Sequence, residues 1–458
     1  MQTDCNKPTI DFTPLARRQI TARFDAGAIS SDGGVVLLRE VDRRIRLLDR
    51  VDSLIHDPRN PFLVEHQQRT LLAQRVMAIA CGWEDLNDHA TLRNDLVFQL
   101  ATDRKASGRK PGQGDVDPER PLASAPTLCR LENRVDRRAC VEINKLLVEL
   151  FIESHKTREG KASTPPKEVI LDFDATDDPI HGKQEGRFFH GYYDQYCFLP
   201  LYVFAGEQLL CAYLRPSNID GAKHAWAILA LIAKRLRQAW PDVKIIFRGD
   251  SGFCRWKMLR WCDRHGVDYI AGLARNSRLT ALSQPLMDQA QQAFQETGQK
   301  QRLFGELTYA AATWDKERRV VARIEHTDKG ENPRFIVTSL AGEGQMLYEQ
   351  IYCARGEVEN RIKEQQLGLF ADRTSCHDFV ANQFRLLLSS LAYVLIETLR
   401  REFLAGTELA RAQASTIRLK LLKIGALVRR SVRRIVIHLS ESFPLGGLVR
   451  TLVADMTG

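Results

Sequence analysis

An α/β fold, a mixed sheet flanked by helices, follows from three features of the 458-residue chain. Downstream of Lys167, apolar runs of strand length alternate with helical periodicities in the order strand, strand, strand, helix, strand, helix, strand. Between Arg275 and Gly344, three strand patterns (Phe304 to Ala311, Arg319 to His326, Arg334 to Leu340) are separated by charged turns and predict an all-β insertion. The first hundred residues instead space their apolar side chains helically and predict a helical N-terminal domain.

Composition narrows the function. A hydrophobic content of 44% is that of a folded, soluble protein, and 66 Lys plus Arg against 57 Asp plus Glu leave a net charge of +9, which suits an anionic polymer as partner. Ten cysteines are scattered with no CxxC pair, and no apolar leader precedes them, so reduced thiols and a cytoplasmic location are expected. The uncharged stretch from Leu386 to Ile396 falls short of the roughly 20 residues needed to span a bilayer, so no membrane role is expected.

In chain order, the segment from Ile29 begins with the cap-like Ser31 and Asp32 and continues as an amphipathic helix carrying Arg39, Arg43, Arg44 and Arg46, which either lie on phosphates or form a solvated face. Further helical signals run from Glu65 to Cys81 and from Leu92 to Leu100, giving a helical region over 1–102. The Gly- and Pro-rich stretch 103–127 has almost no apolar residues and predicts a linker; 128–167 predicts a helical connector ending in a polar segment.

The run Glu168 to Pro179 predicts a buried strand that nonetheless contains Asp172 and Asp174. With a period of two both carboxylates share a face, where burial demands a cation or hydrogen bonds; a capped turn before Pro179 is the alternative. His181 and His190 follow in a turn-rich hairpin and are assigned structural roles. A second apolar strand, Val243 to Phe247, runs into Arg248-Gly249-Asp250-Ser251-Gly252, again an acid at a strand's end, although such turns also carry Asp as a helix cap.

Gln345 to Leu367 predicts one helix, terminated by Gly368. At about 100° per residue, Tyr352, Arg355, Glu359 and Lys363 share a face that Glu357 and Glu364 do not, which selects Glu359; an ordinary charged face with i,i+4 pairs is the alternative. Phe379 to Phe403 predicts a core helix. From Arg411 to Arg450, nine Lys or Arg stand against the single acid Glu441, and this cationic segment, including Arg429, Arg430, Arg433 and Arg434, is expected to touch phosphate unless it is a solvated helix face.

Asp174, Asp250 and Glu359, with Tyr352 and Arg355 completing Y-x2-R-x3-E, together with LDFDATDDP, RGDSG and LASAPTLCRLEN, resemble the RNase H-like catalytic core of the DDE transposases of bacterial insertion sequences. The resemblance runs from about Phe24 to the C-terminus. It implies an RNase H-like core at 168–274 and 345–404 split by the β insertion at 275–344, with a basic C-terminal region at 405–458. It further implies Asp174, Asp250 and Glu359 as the catalytic, metal-binding triad, holding two Mg²⁺ ions with Mn²⁺ as the alternative. Cut-and-paste transposition of double-stranded DNA by a synaptic homodimer is the implied activity, and Tyr352, Arg355 and Lys363 are the implied DNA-contacting residues of the helix. Asp172 competes with Asp174 for the first position, and the following Ala175-Thr176 favours Asp174. The branch places a Lys seven residues beyond the Glu; here that residue is Gln366, and Lys363, one turn earlier, is the substitute. A structure-selective, metal-dependent nuclease on the same core, or a DNA-binding protein without catalysis, are the alternatives.

Overall fold

A computed structural model of the chain describes residues 9–103, 121–156, 165–431 and 433–457. Most of the linker expected at 103–127, and part of the polar segment before Lys167, lie outside the described residues. Two compact units divide the chain: one comprises Met1–Leu48, Pro58–Cys129 and Thr398–Gly458, the other Asp49–Asp57 and Arg130–Glu397.

The second unit is built on an eight-stranded mixed sheet of β1 (Glu168–Ala175), β2 (Leu201–Ala205), β3 (Gln208–Tyr213), β4 (Lys244–Gly249), β5 (Asp268–Leu273), β6 (Gln301–Tyr309), β7 (Arg318–Thr327) and β8 (Gly330–Thr338), in the order β6-β7-β8-β5-β4-β1-β2-β3. The β1, β4 and β5 strands run parallel, and all other pairs are antiparallel. In the register Arg248 lies opposite Asp172 and Gly249 opposite Phe173, so the acids that follow, Asp174 and Asp250, come side by side at the C-terminal ends of the two strands.

Alternation along the strands sorts the side chains onto two faces. Leu171, Phe173, Ile245, Phe247, Tyr269 and Ala271 point into the larger core, covered by helices α1 (Arg137–Ser154), α2 (Ala225–Ala239), α3 (Trp256–His265) and α4 (Ser277–Thr297). Ile246, Ile270, Val321 and Ile336 face the other way, under Leu347 and Tyr348 of the Glu359-bearing segment. Asp172 and Arg248, alternating with Leu171 and Phe247, belong to this second face.

Three elements depart from expectation. The insertion opens with the 21-residue α4 and is therefore not all-β; Leu279, Ser283, Met287 and Ala290 form its buried face, while Pro285 and a Gln-rich surface hide the helical pattern. Its strands also join the core sheet, because β8 pairs with β5. The apolar run from Cys197 to Ala205 is not one strand: it is broken at Pro200, and Gln195–Phe198 joins Asp178–Pro179 and Phe188–His190 in a separate three-stranded ribbon.

Nor is the segment from Gln345 to Leu367 one regular helix. A short α-helical turn, Gly344–Met346, passes into π-helical Leu347–Tyr352, then 3₁₀ Cys353–Arg355, then α5 (Gly356–Lys363), and ends in π-helical Glu364–Gly368. Such wide turns re-aim side chains and recur at functional sites. The α6 helix (Phe379–Phe403) has an 18-residue window apolar enough to cross a membrane, but 83% of that window is buried inside the protein, as in a core helix.

The first unit opens with a hairpin, Ile10–Leu15 and Arg18–Ala22, and a short strand Ile29–Ser30, so the N-terminal region is not purely helical. Its helices Val35–Ile45, Gln68–Cys81 and Leu96–Ala101 follow. The N-cap of the first of these is Gly34 rather than Ser31 or Asp32. Ile29–Ser30 pairs antiparallel with Ala426–Arg430, which pairs in turn with Ile435–Leu439, so residues near the two ends of the chain share one sheet. At Gly34 an added Cβ would lie 1.8 Å from the Leu421 carbonyl oxygen, which demands glycine there.

Candidate active site

Parallel pairing of β1 and β4 aligns a D-x-D sequence with R-x-D. On the inner rung Arg248 grips both oxygens of Asp172, through Nε and, at 2.7 Å, through Nη2. Both side chains are buried, and a bidentate guanidinium is the neutralisation that a buried carboxylate requires. Asp172 is thereby taken up in a bidentate ion pair, whereas Asp174, two residues on, has no such partner and meets one Arg355 nitrogen at 3.3 Å. Arg248 also donates at 2.5 Å to the Ile351 carbonyl, tying the irregular helix to the sheet.

On the outer rung Asp174 is nearly buried, with one oxygen accepting the Ala175 N–H at 2.9 Å and the other 3.3 Å from Arg355 Nη1. The other terminal nitrogen of Arg355 lies 2.6 Å from Glu359. One guanidinium thus bridges the strand-borne and helix-borne acids. Asp250 accepts the Gly252 N–H at 2.8 Å, which fixes the RGDSG turn and points its backbone at the same edge.

Electrostatics ties the three acids together. Burial pushes the Asp174 carboxyl up to about 7; Arg355 opposes the shift, while the neighbouring carboxylates of Asp250 and Glu359 add to it. Burial alone would lower Arg355, yet the carboxylates of Asp174 and Glu359 outweigh it and hold the guanidinium charged. Tyr352 is raised chiefly by burial, with Asp250 adding and Arg355 opposing, so its hydroxyl belongs to the same cluster. That hydroxyl occupies the space above Gly272, where an added Cβ would come within 2.6 Å of it and 2.8 Å of the Ser251 nitrogen.

The structure therefore draws Asp174, Asp250, Glu359, Tyr352 and Arg355 together. Lys363 is exposed on α5 and enters none of the ion pairs that join them. Gln366, at the position of the expected lysine, donates at 2.7 Å to the Asp177 carbonyl. In the basic C-terminal stretch, Arg429, Arg433 and Arg434 are exposed, but Arg430 is partly buried and donates to Gln99 at 3.2 Å, so it serves packing as well as charge. Lys423 likewise pairs with buried Asp32 at 2.7 Å, and Arg418 donates to the Ala80 carbonyl at 2.8 Å.

Two contributors escape a reading by composition: Arg248 and Gly272. The signal for Arg248 was its place two residues before Asp250, matching Asp172 two residues before Asp174, which pairs the inner residues whenever the strands are parallel and in this register. Nothing in the sequence around Gly272 marks it.

Among the described residues no group of three or more His, Cys, Asp and Glu side chains is gathered as a ready metal cage. Arg355, bridging Asp174 and Glu359, explains why the acids stand apart. The donor set nevertheless fits a hard divalent cation: all three groups are carboxylates, and burial beside the other two acids holds Asp174 near 7, a penalty that a cation would relieve.

A pH dependence follows. Asp174 stands at about 7 and Asp178, buried against Thr374, at about 8, both above the ordinary 3.8, so each binds more protons in the folded than in the unfolded state between those values. Stability of the metal-free protein is then highest on the acid side of this window and falls as pH rises through it, by up to about 1.4 kcal/mol per pH unit for each group. Urea midpoints measured from about pH 5 to about pH 8 should decline, and Asp174→Asn should flatten the decline. An unchanged slope in that variant would remove Asp174 as a titrating group.

Comparison with known proteins adds the family. No curated protein matches the chain. Among solved structures, a cryo-EM structure of the piggyBac transposase synaptic complex with hairpin DNA matches at 10% identity, covering 86% of this chain and 80% of that one with a TM-score of 0.38. The profile described as Transposase DDE domain group 1 matches residues 12–457. On that match, spanning nearly the whole sequence, the chain belongs to the Transposase DDE domain group 1 family and is a DDE transposase, a DNA-cleaving and strand-transferring enzyme dependent on a divalent metal.

Proposed function

We propose that the chain performs cut-and-paste transposition, cleaving DNA at the ends of its own element and joining the freed 3′ ends to target DNA. Asp174, Asp250 and Glu359 are the catalytic acids and would hold Mg²⁺, for which three hard oxygen donors are suited. The observation that carries this reading is the convergence of two strand-end acids and one helix-borne acid around Arg355. Bound there, a pair of divalent ions supplies Lewis-acid stabilisation of the attacking and leaving oxygens of phosphodiester transfer.

The chain's own residues supply position. Arg355, with a fork of donors beside two of the acids, suits the non-bridging oxygens of the reacting phosphate. Tyr352, seated over Gly272, places its hydroxyl next to Asp250. Water attacks first to free a 3′-OH, and that hydroxyl then attacks the target strand. Exposed Arg429, Arg433 and Arg434, with the helical region over 1–102 and the basic region over 405–458, bind the DNA backbone. A homodimer brings two ends together, and the enzyme works in the bacterial cytoplasm on the nucleoid.

Purified protein incubated with labelled element ends, a target plasmid and Mg²⁺ should yield joined products. Nicks without joining would replace this reading with that of a nuclease, and a mobility shift without cleavage with that of a DNA-binding protein.

A further inference from the structure

Arg355 occupies the bridging place among the acids that a divalent ion would need. One of its terminal nitrogens lies 3.3 Å from Asp174 Oδ2 and the other 2.6 Å from Glu359 Oε1, and Asp250 is a third acid near enough to help hold its charge. The other Asp174 oxygen accepts the Ala175 N–H, so Arg355 holds the one that the backbone leaves over.

A guanidinium offers five donors, has no acceptor and stays protonated, so it cannot itself ligate a metal. Arg355 and a divalent ion therefore compete for the same carboxylate oxygens. Were both to stay, two positive groups would stand a few ångströms apart beside side chains that are only 19% (Arg355) and 13% (Asp174) exposed, where charges repel more strongly than in water. Three ionised carboxylates against one guanidinium still leave an excess of negative charge, so further cations are drawn to a place that Arg355 fills.

The backbone gives Arg355 room to leave. It ends the 3₁₀ turn Cys353–Arg355 and stands at the N-cap of α5, where its side chain makes no capping hydrogen bond. Cys353 and Gly356 are exposed, and an added Cβ at Gly356 would meet nothing within 4 Å. The long stem can thus turn outward without repacking the core. A guanidinium that gives up two carboxylates needs another anion, and a phosphate fits its fork.

We propose that Arg355 is an exchangeable internal cation: it bridges Asp174 and Glu359 in place of divalent ions and moves to a phosphate when DNA arrives, so that metal and DNA load together. The proposal rests on Asp174, Asp250 and Glu359 being the metal site. It adds that without DNA the acids prefer their own arginine. Such coupling is reciprocal, so what DNA adds to metal affinity, metal adds to DNA affinity.

Calorimetric titration of the full chain with Ca²⁺, in the absence of DNA, reads the competition directly. Arg355→Gln should bind Ca²⁺ roughly tenfold or more tightly than the parent, because the rival charge has gone. Arg355→Lys keeps a charge but not the fork, and should fall between the two. Adding Asp174→Asn to Arg355→Gln should cancel the gain. On a labelled duplex carrying the element end, replacing Na⁺ with Ca²⁺ at fixed ionic strength should strengthen parental binding by a larger factor than it does for Arg355→Gln.

A Ca²⁺ affinity unchanged or lowered in Arg355→Gln, no Ca²⁺ binding by either protein, a gain that survives Asp174→Asn, or equal factors on the duplex would each overturn the exchange. If Arg355→Gln does not fold, Arg355→Lys decides, and an affinity no higher than the parent's would overturn it. The joining assay with Mg²⁺ keeps the two readings apart. Joined products without the Ca²⁺ gain sink the exchange alone, and the gain without joined products removes cut-and-paste transposition alone.

Discussion

Asp174→Asn is expected to abolish cleavage and joining, lowering the rate by about three orders of magnitude or more, since removing a group that stabilises developing charge in phosphoryl transfer costs several kcal/mol. The substitution keeps side-chain shape and an oxygen for the Ala175 N–H, so the fold and DNA affinity should survive. It also removes a charge that burial disfavours, so the metal-free variant should be more stable than the parent on the alkaline side of neutrality. Loss of activity with gain of stability is a combination that a merely structural residue does not produce. Single-turnover assays with labelled ends and urea melts on the same preparations would check both halves. Asp250→Asn and Glu359→Gln should match the activity loss, and combining them should add little, because the acids act as a unit. A variant that keeps more than about a tenth of parental joining would exclude its residue from the triad.

The same strand carries the opposite case two residues earlier. Asp172→Asn should cost about 3–5 kcal/mol of stability, because it leaves the Arg248 guanidinium buried without its counter-charge. Activity should fall too, but indirectly: Arg248 also holds the Ile351 carbonyl, four residues before Arg355. Replacing both members with apolar residues, as in Asp172→Leu/Arg248→Met, should recover much of the stability and little of the activity, since the tie to the helix stays broken. Equilibrium urea unfolding reads the first effect and the cleavage assay the second. Were Asp172→Asn as stable as the parent, the buried pair would not be the element that holds the two strands' polar faces together.

These two variants mark how far the sequence could be read. The D-x-D pattern predicts two acids on one face and leaves the choice between them open, because which one is neutralised depends on a strand that begins more than seventy residues later. The choice of Glu359 over Glu357 and Glu364 came from helical rotation, and the structure places Glu359 against Arg355 while Glu364 is buried against Arg361 at 2.8 Å. The same rotation sets Lys363 on that face, and Lys363 is exposed one turn beyond Glu359 on the regular part of the helix. It assumes a uniform helix throughout, whereas Leu347–Tyr352 and Glu364–Gly368 are π-helical and Cys353–Arg355 is 3₁₀, and such register changes follow from packing on the sheet. The α4 helix was missed because Pro285 signals interruption, although its ring is tolerated where the surrounding faces pack. The ribbon's aromatic residues lie in what the sequence marks as a turn-rich hairpin; their exposure is a tertiary fact.

Pairing of Ile29–Ser30 with Ala426–Arg430, and the approach of Gly34 to the Leu421 carbonyl, has a temporal consequence. A nascent polypeptide cannot close that sheet until the ribosome has translated past Leu439, so the unit that contains it stays open while the residues of the other unit, Asp49–Asp57 and Arg130–Glu397, have all been made. A chain interrupted by a premature stop codon upstream of Ala426 would lack the middle strand, and Ile29–Ser30 would be left with no strand to pair with in that sheet.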